Sequence, residues 1–123
     1  MPVQATRALN WTFTLANYDD SDRRSISGFF DQGSCGYLVY QRELSESGLH
    51  HLQGYLELKK PVSLRTLKRK LGLPTLHLEI VRNPDAARSY CIKEATRLDG
   101  TEPTEFGTYK VRRPGGFPSF RWI

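Results

Sequence analysis

Two short stretches hold residues whose types and spacing could do chemistry. In YCIKE (90–94), Tyr90 and Lys93 stand three apart, which on a helix sets them on one face. In HHLQGYLEL (50–58), strand-like alternation sends His51, Gln53, Tyr55 and Glu57 one way and Leu52, Gly54, Leu56 and Leu58 the other. A tyrosine with a partner lysine suggests an oxygen nucleophile. A free phenol titrates near ~10, so attack at neutral pH needs a nearby cation, a base, or a phosphate already polarised by a metal.

The metal would come from the second stretch. GYLVYQREL (36–44) alternates with Tyr37, Val39, Gln41 and Glu43 on one face, and SESGLH has the composition of a turn. An antiparallel hairpin therefore brings Glu43 close to His51 and Gln53. One carboxylate, one imidazole and one amide oxygen, without a thiolate, form a harder donor set than zinc usually selects, which points to Mg2+ or Mn2+ with positions open for water and phosphate oxygens. His50 is a poorer ligand, because its use would turn Leu52 towards the metal and Gln53 into the core. Each half has a plain alternative: His and Gln as strand-surface polar residues, and Tyr and Lys as an ordinary helical pair.

The elements that would position these groups follow from periodicity. NWTFTLAN (10–17) alternates with Trp11, Phe13 and Leu15 opposed to Asn10, Thr12 and Thr14. A helix starting near Ser21 or Asp22 would bury Ile26, Phe29 and Phe30. SLRTLKRKLG offers a Ser63 cap, apolar Leu64, Leu67 and Leu71, solvent-facing Arg65, Lys68 and Arg69, and Gly72 as a stop. TLHLEIV (75–81) alternates Leu76, Leu78 and Ile80 against His77, Glu79 and Val81. NPDAARSYCIKEA reads as a helix capped by Asn83 with Pro84 in its first position, and FGTYKV (106–111) as a last strand. This order predicts an α+β domain: a central antiparallel sheet of about five strands with helices mainly on one face, leaving the other for a ligand.

Size and composition agree with one domain. The chain has 123 residues, 38% hydrophobic and 25% charged. No apolar run approaches the roughly 20 residues of a membrane span, and MPVQATRALNW lacks a secretory pattern, so an intracellular home is expected. Cys35 and Cys91 suit two reduced, partly buried thiols. The net charge of +5 is uneven: residues 59–70 hold six basic and no acidic residues, and 107–123 hold four and none. An anionic partner such as nucleic acid fits this pattern, as does a solvated helix face with a flexible tail. No GxxxxGK[ST] phosphate loop is present, so nucleotide hydrolysis by that route is not expected.

Taken together, NWTFTLAN, HLQGYLEL and YCIKE, in that order, resemble the three motifs of the HUH-type replication initiator (Rep) endonuclease domains of small circular single-stranded DNA viruses, most like the circovirus branch. The likeness covers residues 8–110. The first motif departs at Ala16, where the family commonly has asparagine. The resemblance implies an RRM/ferredoxin-like HUH fold over 1–111, with 112–123 a basic Pro/Gly tail. It implies Glu43, His51 and Gln53 as ligands of Mn2+ or Mg2+, Tyr90 as nucleophile and Lys93 as its assistant. The implied activity is nicking and rejoining of single-stranded origin DNA, at a nonanucleotide in a hairpin loop, through a 5′-phosphotyrosine during rolling-circle replication. A host-nuclear location, a monomeric isolated domain, and a parent protein with a C-terminal helicase domain that oligomerises are further expectations.

Asn10, Thr12, Thr14, Tyr55, His77 and Glu79 on the open face are expected to read or stack on bases, and Arg65, Lys68, Arg69 and Lys70 to hold phosphates. Two rivals stay open. One is a non-catalytic single-stranded nucleic-acid-binding module of RRM-like fold, although no RNP-type aromatic signature is present. The other is a metal-dependent phosphodiesterase that uses water as nucleophile.

Overall fold

A computed structural model describes residues 6–112. Its elements are β1 (Arg7–Ala16), α1 (Asp20–Asp31), β2 (Cys35–Leu44), β3 (His50–Ser63), α2 (Leu64–Leu71), β4 (His77–Ile80), α3 (Pro84–Cys91), a single 3-10 turn (Glu94–Thr96) and β5 (Thr104–Phe106). The five strands form one antiparallel sheet in the order β4-β1-β3-β2-β5. The α+β class and the antiparallel sheet are as the sequence predicts. Of the proposed tail, Arg112 is described and residues 113–123 lie outside the described residues.

Local chemistry explains most boundaries. The Asp19 side chain accepts from the Asp22 backbone N–H, and the Asp22 side chain from that of Asp19, so a capping box starts α1 one to two residues earlier than expected. Ser63 caps α2, and Gly72 closes it in the left-handed conformation at φ 70°. Asn83 caps α3, with Pro84 in the first turn. The strand from His50 extends to Ser63 through a register irregularity opposite Ala8 and Asn10, where Pro61, with no N–H to donate, is tolerated.

The main core lies between the sheet and α1 and α2. Trp11, Phe13, Leu15, Leu38, Tyr40, Leu52 and Leu56 meet Ile26 and Phe29 of α1 and Leu67 and Leu71 of α2. Gly54 permits this packing, since the Phe13 ring covers it and a Cβ there would lie 2.1 Å from Phe13 Cζ. Leu64 and Ile80, expected to be buried, are exposed: Leu64 sits in the first turn of α2 beyond its buried stripe, and Ile80 ends an edge strand.

The second face is less open than the sequence suggests. α3 packs on it, and a smaller core joins Tyr37, Val39, Tyr55 and Cys91 to Ala87, Val81, Ile92 and Tyr109. The last strand is Thr104–Phe106 rather than 106–111. After Gly107 the chain leaves the sheet edge and lays Tyr109 across the rings of Tyr37 and Tyr55. Arg112 then pairs with Glu57 (2.6 Å), its backbone N–H donates to Asp85, and the Tyr109 hydroxyl also hydrogen-bonds Asp85. Arg88 stacks over Tyr109 and bonds both Tyr37 and Glu105.

Candidate active site

The site lies where the end of α3 meets the sheet, with Cys91 against Gln53 and Lys93 against Glu43. Pairing aligns two rows of residues across β1, β3 and β2: Ala16, His51 and Glu43 in one, Thr14, Gln53 and Gln41 in the next. Glu43 and His51 stand directly opposite, as the hairpin expectation requires, with Oε1 of Glu43 3.0 Å from Nε2 of His51. The other carboxylate oxygen accepts from Nε2 of Gln41 at 2.7 Å and from Nζ of Lys93 at 3.3 Å. Glu43 is only 3% exposed, so its charge depends on these donors rather than on water. Burial pushes its carboxyl up, but the Gln41 hydrogen bond, the Lys93 charge and the His51 hydrogen bond outweigh that and hold it below the ordinary carboxylate value.

Gln53, the third expected ligand, stands one row away. Its Oε1 accepts from Thr14 Oγ1 at 3.1 Å, and its Nε2 points inward to the Phe13 carbonyl (3.4 Å) and Cys91 Sγ (3.8 Å). An amide oxygen has two lone pairs, so one remains for a cation. Among the described residues no three His, Cys, Asp or Glu side chains converge, so a third protein donor would be of another kind, and the Gln53 oxygen is the one on the adjacent row. The residues fit a divalent oxygen-preferring ion. The 3.0 Å between the Glu43 and His51 donors is about the spacing of adjacent ligands around an octahedral ion with bonds of about 2.1 Å. An ionised carboxylate, an imidazole and an amide suit Mg2+ or Mn2+ better than a zinc site.

Tyr90 and Lys93 meet, but not as one helix face. α3 ends at Cys91, and Lys93 is extended (φ −66°, ψ 138°) ahead of the 3-10 turn. Its side chain folds back so that Nζ lies 3.6 Å from the Tyr90 ring centre and 3.2 Å from the Tyr90 carbonyl oxygen. One ammonium thereby touches both the Glu43 carboxylate and the Tyr90 ring. Tyr90 is 55% exposed.

The expected DNA contacts divide. Asn10, Thr12 and Thr14 face the same side as the site and are half-buried, with the Thr14 hydroxyl committed to Gln53. His77 sits opposite Thr14 on edge strand β4 and bonds Glu79 (2.6 Å), two strands from His51. Tyr55 is not a stacking platform: it is fully buried beneath Tyr109, and its hydroxyl donates to Glu57 at 2.5 Å. Arg65, Lys68 and Arg69 belong to α2, on the opposite side of the sheet from Glu43 and His51.

Sequence reasoning missed two partners of the site. Alternation placed Gln41 on the face of Glu43 but gave no reason to single it out. Arg97, which bonds Oε1 of Gln41 at 2.9 Å, carries no sequence signal, because its contact depends on a turn 56 positions along the chain.

A family model described as "Putative viral replication protein" matches residues 8–94. The chain is 39% identical over 107 residues to the master replication protein of Subterranean clover stunt virus (strain F), which covers 86% of this chain and 34% of that protein. It is 40% identical over 106 residues to the master replication protein of Faba bean necrotic yellows virus (isolate Syrian SV292-88), 85% and 33% of the two chains. The replication-associated protein of Canary circovirus is 35% identical over 94 residues, 76% of this chain and 31% of its own. The chain thus spans about a third of the length of these curated relatives.

Proposed function

The chain belongs to the Rep domains of small circular single-stranded DNA viruses, and on that premise we propose that it initiates rolling-circle replication by nicking and rejoining single-stranded origin DNA through a phosphotyrosine. One observation carries this reading: Lys93 contacts both the Glu43 carboxylate, itself paired with His51, and the Tyr90 ring. A metal-donor cluster and an accessible phenol are thereby joined through one cation.

A divalent Mg2+ or Mn2+ held by Glu43, His51 and Gln53 would supply positive charge to the oxygens of the scissile phosphate. The protein's own groups do the rest. The Tyr90 oxygen attacks phosphorus in line, the phosphorus–O3′ bond breaks, and the phenolic proton is balanced by protonation of the leaving 3′ oxygen. Lys93 places positive charge against the ring as negative charge gathers on the phenol. The product is a 5′-phosphotyrosyl ester and a free 3′ hydroxyl. Attack by a 3′ hydroxyl on that ester reverses the step, so rejoining needs no nucleotide hydrolysis.

The burial of Tyr55 weighs against the RRM-like binding module, which needs exposed aromatic rings on its sheet. The test is incubation with a labelled single-stranded origin-like oligonucleotide and Mn2+, resolved on a denaturing gel beside Tyr90→Phe, His51→Ala and a chelator control. A slow-migrating covalent band that needs Tyr90, His51 and metal supports the proposal. Cleavage without an adduct that persists in Tyr90→Phe would instead identify water as the attacking group.

A further inference from the structure

Gln41 is the most completely buried polar side chain among the described residues, at 0% exposure, and the reaction above gives it no part. Its amide is fully engaged. Nε2 donates to Oε2 of Glu43 at 2.7 Å and to the Lys93 carbonyl at 2.8 Å, and Oε1 accepts from Nε of Arg97 at 2.9 Å. Arg97 also donates to the Ile92 carbonyl at 2.8 Å, and its backbone bridges to that of Glu43. The next residue repeats the attachment: the Leu98 N–H donates to the Arg42 carbonyl at 2.9 Å. Residues 92–98, the stretch that follows the nucleophile helix, are thus laced to the strand that carries the metal carboxylate.

Resting on the nicking reading, we infer that Gln41 and Arg97 are positioning residues that clamp the Lys93 segment to Glu43, fixing the spatial relation between the metal donors and Tyr90. The chemistry requires an amide at 41. It must donate to a carboxylate and a carbonyl while accepting from a guanidinium, which neither a carboxylate nor an apolar side chain can do. A glutamate there would accept from Arg97 but oppose Glu43 in the same buried space. A leucine would leave the Arg97 Nε–H without its acceptor. Because Gln41 and Lys93 both bind Oε2, the carboxylate is held with Oε1 towards His51. Such supporting hydrogen bonds typically matter ten- to a hundredfold for metal affinity or activity.

The experiment compares wild type with Gln41→Leu, Arg97→Ala and the double variant in three measurements: hydrogen exchange of the amides of 92–98 without metal, Mn2+ affinity by calorimetry, and the single-turnover rate of adduct formation beside oligonucleotide Kd. Arg97→Ala is expected to speed exchange across 92–98 and to slow adduct formation by about ten- to a hundredfold. Oligonucleotide Kd should stay within about twofold, and millimolar guanidinium should restore part of the rate. Gln41→Leu should also weaken Mn2+ binding. The double variant should be no worse than the worse single one, because the two residues act in series. Folded variants with wild-type exchange and wild-type rates would overturn the clamp. Should Gln41→Leu fail to fold, Arg97→Ala and its guanidinium rescue decide the matter alone. Should wild type form no adduct, the nicking reading falls, while exchange still judges the clamp: unchanged exchange overturns it and faster exchange upholds it.

Discussion

The Lys93 ammonium lies 3.6 Å from the centre of the Tyr90 ring although the two residues belong to different elements, one in α3 and the other beyond its end. The same nitrogen reaches Oε2 of Glu43 at 3.3 Å. Lys93→Met keeps the apolar stem and removes the charge. It is expected to slow adduct formation about a hundredfold and, because it takes a cation from the buried Glu43 carboxylate, to lower the melting temperature as well. Single-turnover kinetics check this, and a wild-type rate would remove Lys93 from the reaction.

Tyr55 supplies core rather than DNA contact. Tyr55→Phe removes only the hydroxyl that donates to Glu57, and Glu57 keeps its pairing with Arg112. Stability should fall by about 1 kcal/mol and single-stranded DNA affinity should not change. Urea unfolding and fluorescence anisotropy measure the two, and a large loss of DNA affinity would restore the stacking role.

The α2 cations face away from Glu43 and His51, so any phosphates they hold lie well outside the reacting centre. Arg65→Ala, Lys68→Ala and Arg69→Ala should leave the cleavage rate of saturated complexes intact. Each lost phosphate contact should reduce the slope of log affinity against log salt by roughly 0.7. Unchanged slopes in all three would make α2 a solvated face.

Gly54 has no room for a methyl group, with Phe13 Cζ 2.1 Å from the Cβ position. Gly54→Ala should destabilise the domain by about 1–3 kcal/mol or more, because a full ring must move within a packed core. Chemical denaturation reads this directly, and a neutral result would mean that the Phe13 ring swings aside freely.

Acid should expose the ion pair at the β5 edge. The Tyr37 hydrogen bond and then the Arg88 hydrogen bond favour ionised Glu105; burial opposes them more weakly, and the carboxyl is held below its ordinary 4.5. Its contribution to stability is therefore complete above that value and is lost as pH falls through the lower folded-state value. Glu105→Gln should be less stable than wild type at pH 7, with the gap narrowing on acidification below about pH 4.5. Urea midpoints across pH 3–7 test this, and a gap independent of pH would assign the effect to packing.

Alternation and turn chemistry made β1, β2 and the start of β3 legible, and with them the placing of Glu43 opposite His51, because a two-residue period leaves few choices of face. Caps at Ser63 and Asn83 were legible for the same local reasons. What failed was non-local. The course of the chain from Gly107 to Arg112 and the burial of Tyr55 go with Tyr109, Arg88 and Arg112 closing over the second face, while the stretch after α3 is held by Gln41 and Arg97, and no sequence period encodes either. Arg97 was invisible for this reason too.

The two cysteines sit in different layers, Cys35 in the core under α1 and α2 and Cys91 in the smaller one under α3. Burial raises both thiols, to about 11 and about 12 respectively, so neither reacts while its layer stays closed. Each is therefore a built-in reporter: slow alkylation of Cys91 times the breathing of the layer beside Tyr90, and that of Cys35 times the opening of the scaffold behind it. Comparing the two rates, with and without DNA, would show whether the α3 layer loosens independently of its support.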